Sequence, residues 1–207
     1  MELIITIFSL MILLFSVIIH ELAHGYTAYS LGDPTAKYAG RLTLNPLKHL
    51  DLFGSVLLPL FLFMSGSSIL VGWAKPVPIN PYNFRDQKWS HLKVAFAGPL
   101  SNIALALLFG ILIRFTPHGL FTVLPGSFLI FSFIVHINLI LAIFNLVPIP
   151  PLDGSWILFR FIPSQFDYIK LFLQRYGIFI LLFLLFFGGL YWLHGIESFL
   201  FYLFTGI

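Results

Sequence analysis

Cysteine is absent from the 207 residues of this chain. Its absence excludes a disulfide framework, a thiolate metal site and a cysteine nucleophile, so any metal must be held by His, Asp or Glu. Charge is also scarce, since only 9% of the residues are charged. The formal net charge is +3, and the basic residues lie between apolar runs rather than in a patch, so nucleic acid is not an expected partner.

Apolar residues dominate the composition. Hydrophobic residues make up 59% of the chain, and the mean hydropathy is +0.98. Apolar runs of about 20 residues recur, and this is the length that crosses a bilayer as a helix. The sequence therefore predicts an all-α, polytopic membrane protein, with residues 1–207 as a single integral-membrane domain. No basic segment precedes the first run and no small-residue cleavage site follows it, so we expect this run to be retained.

Glycine, proline and charged residues divide the chain into spans and connections. Gly32 and Pro34 stand where the first helix is expected to stop. Residues 73–81 hold too many prolines for a helix or a central strand, so an extended conformation is predicted. The predicted spans are 3–30, 94–115, 128–146 and 176 to about 194. A broken apolar run covers 50–71, a mixed amphipathic stretch covers 155–175, and a short apolar tail closes the chain.

Lysine and arginine are distributed unevenly. Seven of the 11 lie between residues 31 and 93, and three more lie between 153 and 175. The positive-inside rule then places both segments in the cytoplasm. This requires the run 50–71 not to cross, so we predict a re-entrant or partly inserted hairpin, broken near Pro59. The alternative is a plain additional span, since 20 apolar residues are enough to cross.

The most informative motif is H-E-x-x-H near the end of the first predicted helix. Residues four apart lie on one face of a helix, so His20 and His24 direct their imidazoles at a common point. Glu21 lies beside that point as a candidate proton acceptor. Two nitrogen ligands with an adjacent carboxylate are typical of zinc hydrolases. The alternative is a helix that happens to carry polar residues, but buried ionisable groups in a membrane are costly and usually functional.

A catalytic zinc site needs a third protein ligand, and Asp153 is the best candidate. It follows a span and a proline run that unwinds the helix. An N-cap role for the next helix is the structural alternative. The predicted topology favours the ligand, because Asp153 arrives at the same side of the membrane as His20 and His24. Bringing Asp153 to the side of the two histidines again requires that residues 50–71 do not cross the membrane.

Three motifs in this order resemble the site-2 protease family of intramembrane zinc metalloproteases. They are H-E-x-x-H at residues 20–24, A-G-P-x-x-N at 97–102, and N-x-x-P-x-P-x-L-D-G at 145–154. The resemblance covers nearly the whole chain and is closest to the small members without PDZ or CBS domains. It implies a three-helix catalytic core with a re-entrant or extended segment between the first two core helices.

The resemblance also implies an activity, which is hydrolysis of peptide bonds within or near transmembrane segments of membrane-anchored substrates. One Zn²⁺ per chain is expected on His20, His24 and Asp153, with Glu21 as the general base. By resemblance, Asn145 assists the substrate or the oxyanion, although it could instead satisfy backbone groups freed by Pro148. The expected partners are the lipid bilayer and a membrane-anchored protein or peptide. The expected location is the bacterial cytoplasmic membrane, with the zinc site towards the cytoplasm.

Other interpretations remain open at this point. Residues 73–81 either offer a strand edge to an extended substrate or form a rigid proline-rich connector. A membrane metal-ion transporter or a non-catalytic metal-binding membrane protein would also place His and Asp in membrane helices. Among the remaining histidines, His136 is expected to hydrogen-bond within the helical bundle, and His49 is expected to be solvated.

Overall fold

The computed structural model describes residues 2–57, 60, 61, 64, 65, 74–117 and 125–207. Within these residues every regular element is helical, which confirms the predicted all-α class. Short turns of 3₁₀ helix cover Pro46–Lys48, Pro81–Asn83 and Ser164–Phe166, and Leu52–Leu57 form a π-helix. The helices are α1 (Glu2–Ser30), α2 (Thr35–Tyr38), α3 (Ser90–Phe115), α4 (Pro125–Asn145), α5 (Asp153–Phe161), α6 (Asp167–Phe186) and α7 (Trp192–Thr205).

Four of the described helices are long and apolar enough to cross a membrane. They cover Ile4–Ser30, Ser90–Phe115, Gly126–Asn145 and Ser164–Phe186. This agrees with a multi-pass membrane protein. The first three correspond closely to predicted spans, and the fourth differs in its limits.

Helix α3 is the centre of the bundle and packs against α1, α4, α5 and α7. Its contact with α4 contains a buried cluster formed by Ala106, Ile113, Val135 and Leu139. Small residues allow the close approach that membrane helices use for packing. At Gly110, for example, an added Cβ would lie only 2.7 Å from Phe204 Cβ of α7.

The prediction for the C-terminal third was wrong in its boundaries. The predicted span 176 to about 194 begins nine residues earlier, at Asp167, and ends at Phe186. A carboxylate in the first turn favours a helix start, and Gly188 ends the helix region with φ of 74°. The predicted apolar tail is helix α7, which packs on both α3 and α4.

The starts of α3 and α4 also precede the predicted ones. Helix α3 begins at Ser90, directly after a turn in which the Asp86 side chain accepts hydrogen bonds from the backbone N–H groups of Lys88 and Trp89. Within the described residues α4 covers Pro125–Asn145, and proline is compatible with a first helical turn because it has no N–H to leave unsatisfied.

The connection between α1 and α3 leaves and re-enters the bundle at the same end. Arg85 N donates to Leu31 O at 3.0 Å, just beyond the end of α1. His24 of α1 bonds the carbonyl of Val94 near the start of α3. This is the arrangement that the predicted non-crossing run 50–71 requires. Pro59, Trp73 and much of that run lie outside the described residues, so the path of the run stays a prediction.

Two further histidine predictions have opposite outcomes. His136 does bond within the bundle, where its Nδ1 lies 2.5 Å from Glu197 Oε1 of α7. The expectation that His49 is solvated was wrong, because it is fully buried and its Nε2 donates to Thr43 O at 2.8 Å. Lys75 N bonds the His49 carbonyl, so the connection folds over this residue.

Candidate metal centre

One face of α1 forms the floor of the site. Ser16, His20, His24 and Ala28 recur at intervals of four residues, and all four are buried. The two imidazole centroids are 4.7 Å apart, and their Nε2 atoms approach to 3.0 Å. The i, i+4 spacing therefore places both rings at one point, as the sequence predicted.

Each imidazole is held from behind through its Nδ1 atom. His20 Nδ1 bonds Asn102 Oδ1 at 2.6 Å, and His24 Nδ1 bonds Val94 O at 2.7 Å. Both partners are acceptors. The Val94 partner is a carbonyl oxygen, and Asn102 presents its Oδ1 because its Nδ2 is already donating to Asn138 Oδ1. Both Nδ1 atoms must therefore carry the proton, and both Nε2 atoms present lone pairs to the common point. Such outer-shell bonds fix the tautomer and orientation of metal-binding histidines.

The third group arrives on the loop between α4 and α5. Asp153 Oδ2 lies 3.1 Å from His20 Nε2 and 3.2 Å from His24 Nε2. Gly154 makes this approach possible, because an added Cβ would lie 2.6 Å from Val147 O. The N-cap of α5 is Leu152 and not Asp153, so the carboxylate does not serve the capping role considered above.

The three groups fit a metal ion such as zinc. Their facing atoms are 3.0–3.2 Å apart, close to the separation of about 3.3 Å between ligand atoms around tetrahedral zinc. None of the described residues satisfies Asp153 Oδ2 with a hydrogen bond. A bound cation would explain why three lone-pair atoms face one another at this spacing. Among the described side chains, no other group of three His, Asp or Glu residues converges in this way.

Space for an ion comes from the absence of a side chain on α3. A Cβ added at Gly98 would lie 2.5 Å from His20 Nε2 and would also overlap His24 Nε2. Pro99 follows within the same helix. The glycine is therefore a geometric requirement of the site.

Glu21 lies next to this cluster and lines the same cavity. Its Oε2 accepts a hydrogen bond from Val77 N at 2.7 Å, which orients the carboxylate beside the three converging groups. The structure thus places Glu21 beside the cluster, and its role as proton acceptor stays a prediction.

The cluster opens into a cavity of about 290 Å³. Pro76 and Val77 line one side of this cavity, and His91 and Trp156 stack with a ring separation of 6.1 Å on another. Asn145 also lines it, and its Nδ2 donates to Leu141 O in its own helix at 2.9 Å.

Sequence reasoning missed the roles of several residues that position the metal cluster. Asn102, Asn138 and Ser16 are buried and bonded to one another across α3, α4 and α1. Polar side chains within apolar spans were the available signal. Their partners lie 36 to 122 positions apart in sequence, so the pairing could not be read from spacing.

Comparison with known proteins adds independent information. Residues 8–125 and 122–187 match the family described as Peptidase family M50. The chain is 43% identical over 155 residues to "Putative zinc metalloprotease YwhC" of Bacillus subtilis, covering 73% of this chain and 67% of the relative.

Two further relatives carry the same description. "Putative zinc metalloprotease Rip2" of Mycolicibacterium smegmatis is 33% identical over 144 residues, covering 68% of this chain and 52% of that protein. "Putative zinc metalloprotease MJ0611" of Methanocaldococcus jannaschii is 50% identical over 70 residues, covering 32% of each chain. No solved structure gives a significant match.

Proposed function

Because the chain belongs to peptidase family M50, the site-2 protease family, we propose that it is an intramembrane zinc metalloprotease. Its substrates would be membrane-anchored proteins or peptides, hydrolysed within or near their transmembrane segments. The observation that carries this proposal is the convergence of His20 Nε2, His24 Nε2 and Asp153 Oδ2 beside the Glu21 carboxylate. These three ligands would hold one Zn²⁺ per chain.

Zinc held there would supply a Lewis acid for both the attacking water and the peptide carbonyl. Glu21 accepts the proton that the water loses and delivers it to the leaving amine. The two histidines keep their lone pairs available because Asn102 and Val94 hold the opposite ring nitrogens.

Asn145 is proposed to contact the substrate carbonyl. Its amide nitrogen carries two hydrogens, of which one is used on Leu141 O. The other is available to a peptide oxygen in the cavity, where a fixed donor stabilises developing negative charge.

The proposed setting is the lipid phase. His20 lies ten residues before the end of α1 at Ser30, which corresponds to about 15 Å of helix. The basic residues of 31–93 and 153–175 favour the cytoplasmic side for this end of the bundle. We therefore propose a protein of the bacterial cytoplasmic membrane, with its zinc site reached from the cytoplasm.

The test is Glu21→Gln in protein reconstituted with a single-span substrate. The variant should retain one zinc per chain by elemental analysis and lose cleavage, because the amide cannot accept the proton. Glu2→Gln, the same change at the opposite end of α1, is the matched control and should cleave normally. Normal cleavage by Glu21→Gln would refute the assignment, and zinc flux into liposomes without cleavage would favour a transporter.

A further inference from the structure

An extended segment crosses the cavity beside the metal cluster. Residues 74–80, here called the strap, form no helix or strand, and Pro76, Val77 and Ile79 line the cavity. Val77 is 5% exposed, and its Cγ1 would lie 3.0 Å from a Cβ added at Gly25 of α1. The strap therefore packs directly on the helix that carries Glu21, one turn further along.

The strap makes one specific backbone contact with the active site. Pro76 and Pro78 have no N–H, so Val77 supplies the only backbone donor of residues 76–78. That donor is used on Glu21 Oε2 at 2.7 Å. A substrate strand cannot use the same N–H while Glu21 holds it, so at this residue the strap serves the carboxylate and not a substrate edge.

A buried cation fixes the strap on the side before Val77. Arg41 is 6% exposed, and its Nη2 donates to Lys75 O at 2.6 Å and to Pro76 O at 3.3 Å. Lys75 N in turn donates to His49 O at 2.9 Å. Lys75 is thus held through both its N–H and its carbonyl, and Arg41 also holds the Pro76 carbonyl of the peptide unit that leads into Val77.

A buried anion fixes the strap on the side after Val77. Asp33 is fully buried, and its Oδ2 accepts from Asn80 N at 2.7 Å. Its Oδ1 accepts from Asn83 Nδ2 at 2.8 Å and from Thr35 N at 3.1 Å. Both anchors come from the connection that follows α1, and neither touches the metal cluster.

We propose that the strap is the positioning element of the general base, and that Arg41 and Asp33 are positioning residues that act through it. The Val77 N–H fixes one oxygen of Glu21, and the anchors fix Val77. Catalytic groups need placement within about 0.5 Å, which a single side chain on a helix does not secure without outside support. This inference rests on the proposed role of Glu21 in proteolysis.

Amide hydrogen exchange tests the contact without any need for activity. Four backbone amides lie within residues 75–81, because the other three residues are prolines; they belong to Lys75, Val77, Ile79 and Asn80. Replacing Glu21 by Ala removes the acceptor, so one of the four should exchange at least about tenfold faster. Glu21→Gln keeps a carbonyl oxygen and should preserve the protection. Equal exchange in wild type and Glu21→Ala would overturn the proposal.

Kinetics test the consequence. Arg41→Ala should lower kcat by about 100-fold, the effect of displacing a reacting group by about 1 Å, while KM and one zinc per chain are unchanged. Arg41→Lys, which keeps the charge, should recover part of the loss and covers the case in which the alanine variant does not fold. Lys37→Ala, an exposed cation of the same connection that bonds Tyr29, is the matched control and should behave as wild type.

The outcomes separate this inference from the proposed function. A higher KM at unchanged kcat in both Arg41 variants would mean that the strap binds substrate, and loss of zinc would mean that it supports the metal cluster; either overturns the proposal. Normal cleavage by Glu21→Gln would refute the proposed function, while the exchange experiment would still report the contact.

Discussion

Replacing Gly98 with alanine should eliminate zinc binding while the helical bundle stays folded. The added Cβ would lie 2.5 Å from His20 Nε2 and 2.6 Å from His20 Cε1. An ordinary contact of 3.4 Å requires His20 Nε2 to retreat by about 0.9 Å, whereas zinc sites tolerate deviations of about 0.2 Å. The ring cannot retreat freely, because its Nδ1 already lies 2.6 Å from Asn102 Oδ1.

The zinc affinity of this variant should fall by more than about 100-fold, which is the upper end of the loss from removing one outer-shell partner. Competition with a chelator of known affinity measures it, and elemental analysis gives the stoichiometry. Melting temperature in detergent, recorded without added metal, reports whether the bundle remains intact.

Two glycines provide matched controls for this substitution. Gly110→Ala introduces a clash in the same helix, against Phe204 Cβ at 2.7 Å, and should lower the melting temperature without changing zinc affinity. Gly195→Ala in α7 meets no described atom within 4 Å and should change neither quantity. The reasoning fails if Gly98→Ala binds one zinc per chain with wild-type affinity, or if Gly110→Ala loses zinc to the same extent.

Three further changes test other parts of the site. Asn102→Ala removes the acceptor behind His20 and should weaken zinc binding about 10–100-fold in chelator competition; an unchanged affinity would mean that the bond does not orient the ring. Asp153→Asn should lose stoichiometric zinc, and retention of one tightly bound ion per chain would exclude the carboxylate as a ligand. Burial raises the pKa of Asp33, but hydrogen bonds from Thr35, Asn83 and Asn80 lower it further, to below its ordinary value. Its stabilisation is therefore complete above the unfolded-state pKa of about 3.9 and disappears as pH falls through the lower folded-state pKa. The melting-temperature gap between wild type and Asp33→Asn should close over that interval, and a gap independent of pH would contradict the sign.

Local sequence was enough to predict the histidine pair. The i, i+4 spacing is imposed by helix geometry, so His20 and His24 had to converge once the segment was helical. Asp153 lies 129 positions after His24 and could be included only by a topological argument from the distribution of positive charge. The structure places Asp153 beside the two histidines. The membrane sidedness on which the argument depended stays a prediction.

The supporting contacts could not be predicted in the same way. The bonds from Asn102 to His20 and from Val77 to Glu21 join positions 82 and 56 apart, and nothing in local periodicity specifies such pairings. The predicted helix boundaries after residue 160 were wrong for a different reason. Continuous apolar sequence has no internal register, so only Asp167 and the glycines after Phe186 indicated where α6 begins and ends.

The charges at the site are consistent with the neutral groups that hold the two histidines from behind. Asp153 and Glu21 bring two carboxylates to a largely buried site, where unbalanced charge is costly. A divalent cation between them and the two imidazoles brings the sum to zero. The groups behind the histidines are an amide oxygen and a backbone carbonyl, from Asn102 and Val94, and both fix a ring without adding charge. A carboxylate at residue 102 would orient His20 equally well but would leave the occupied site with an excess negative charge. The two carboxylates together with these neutral acceptors therefore match the charge of a divalent ion better than that of a monovalent one.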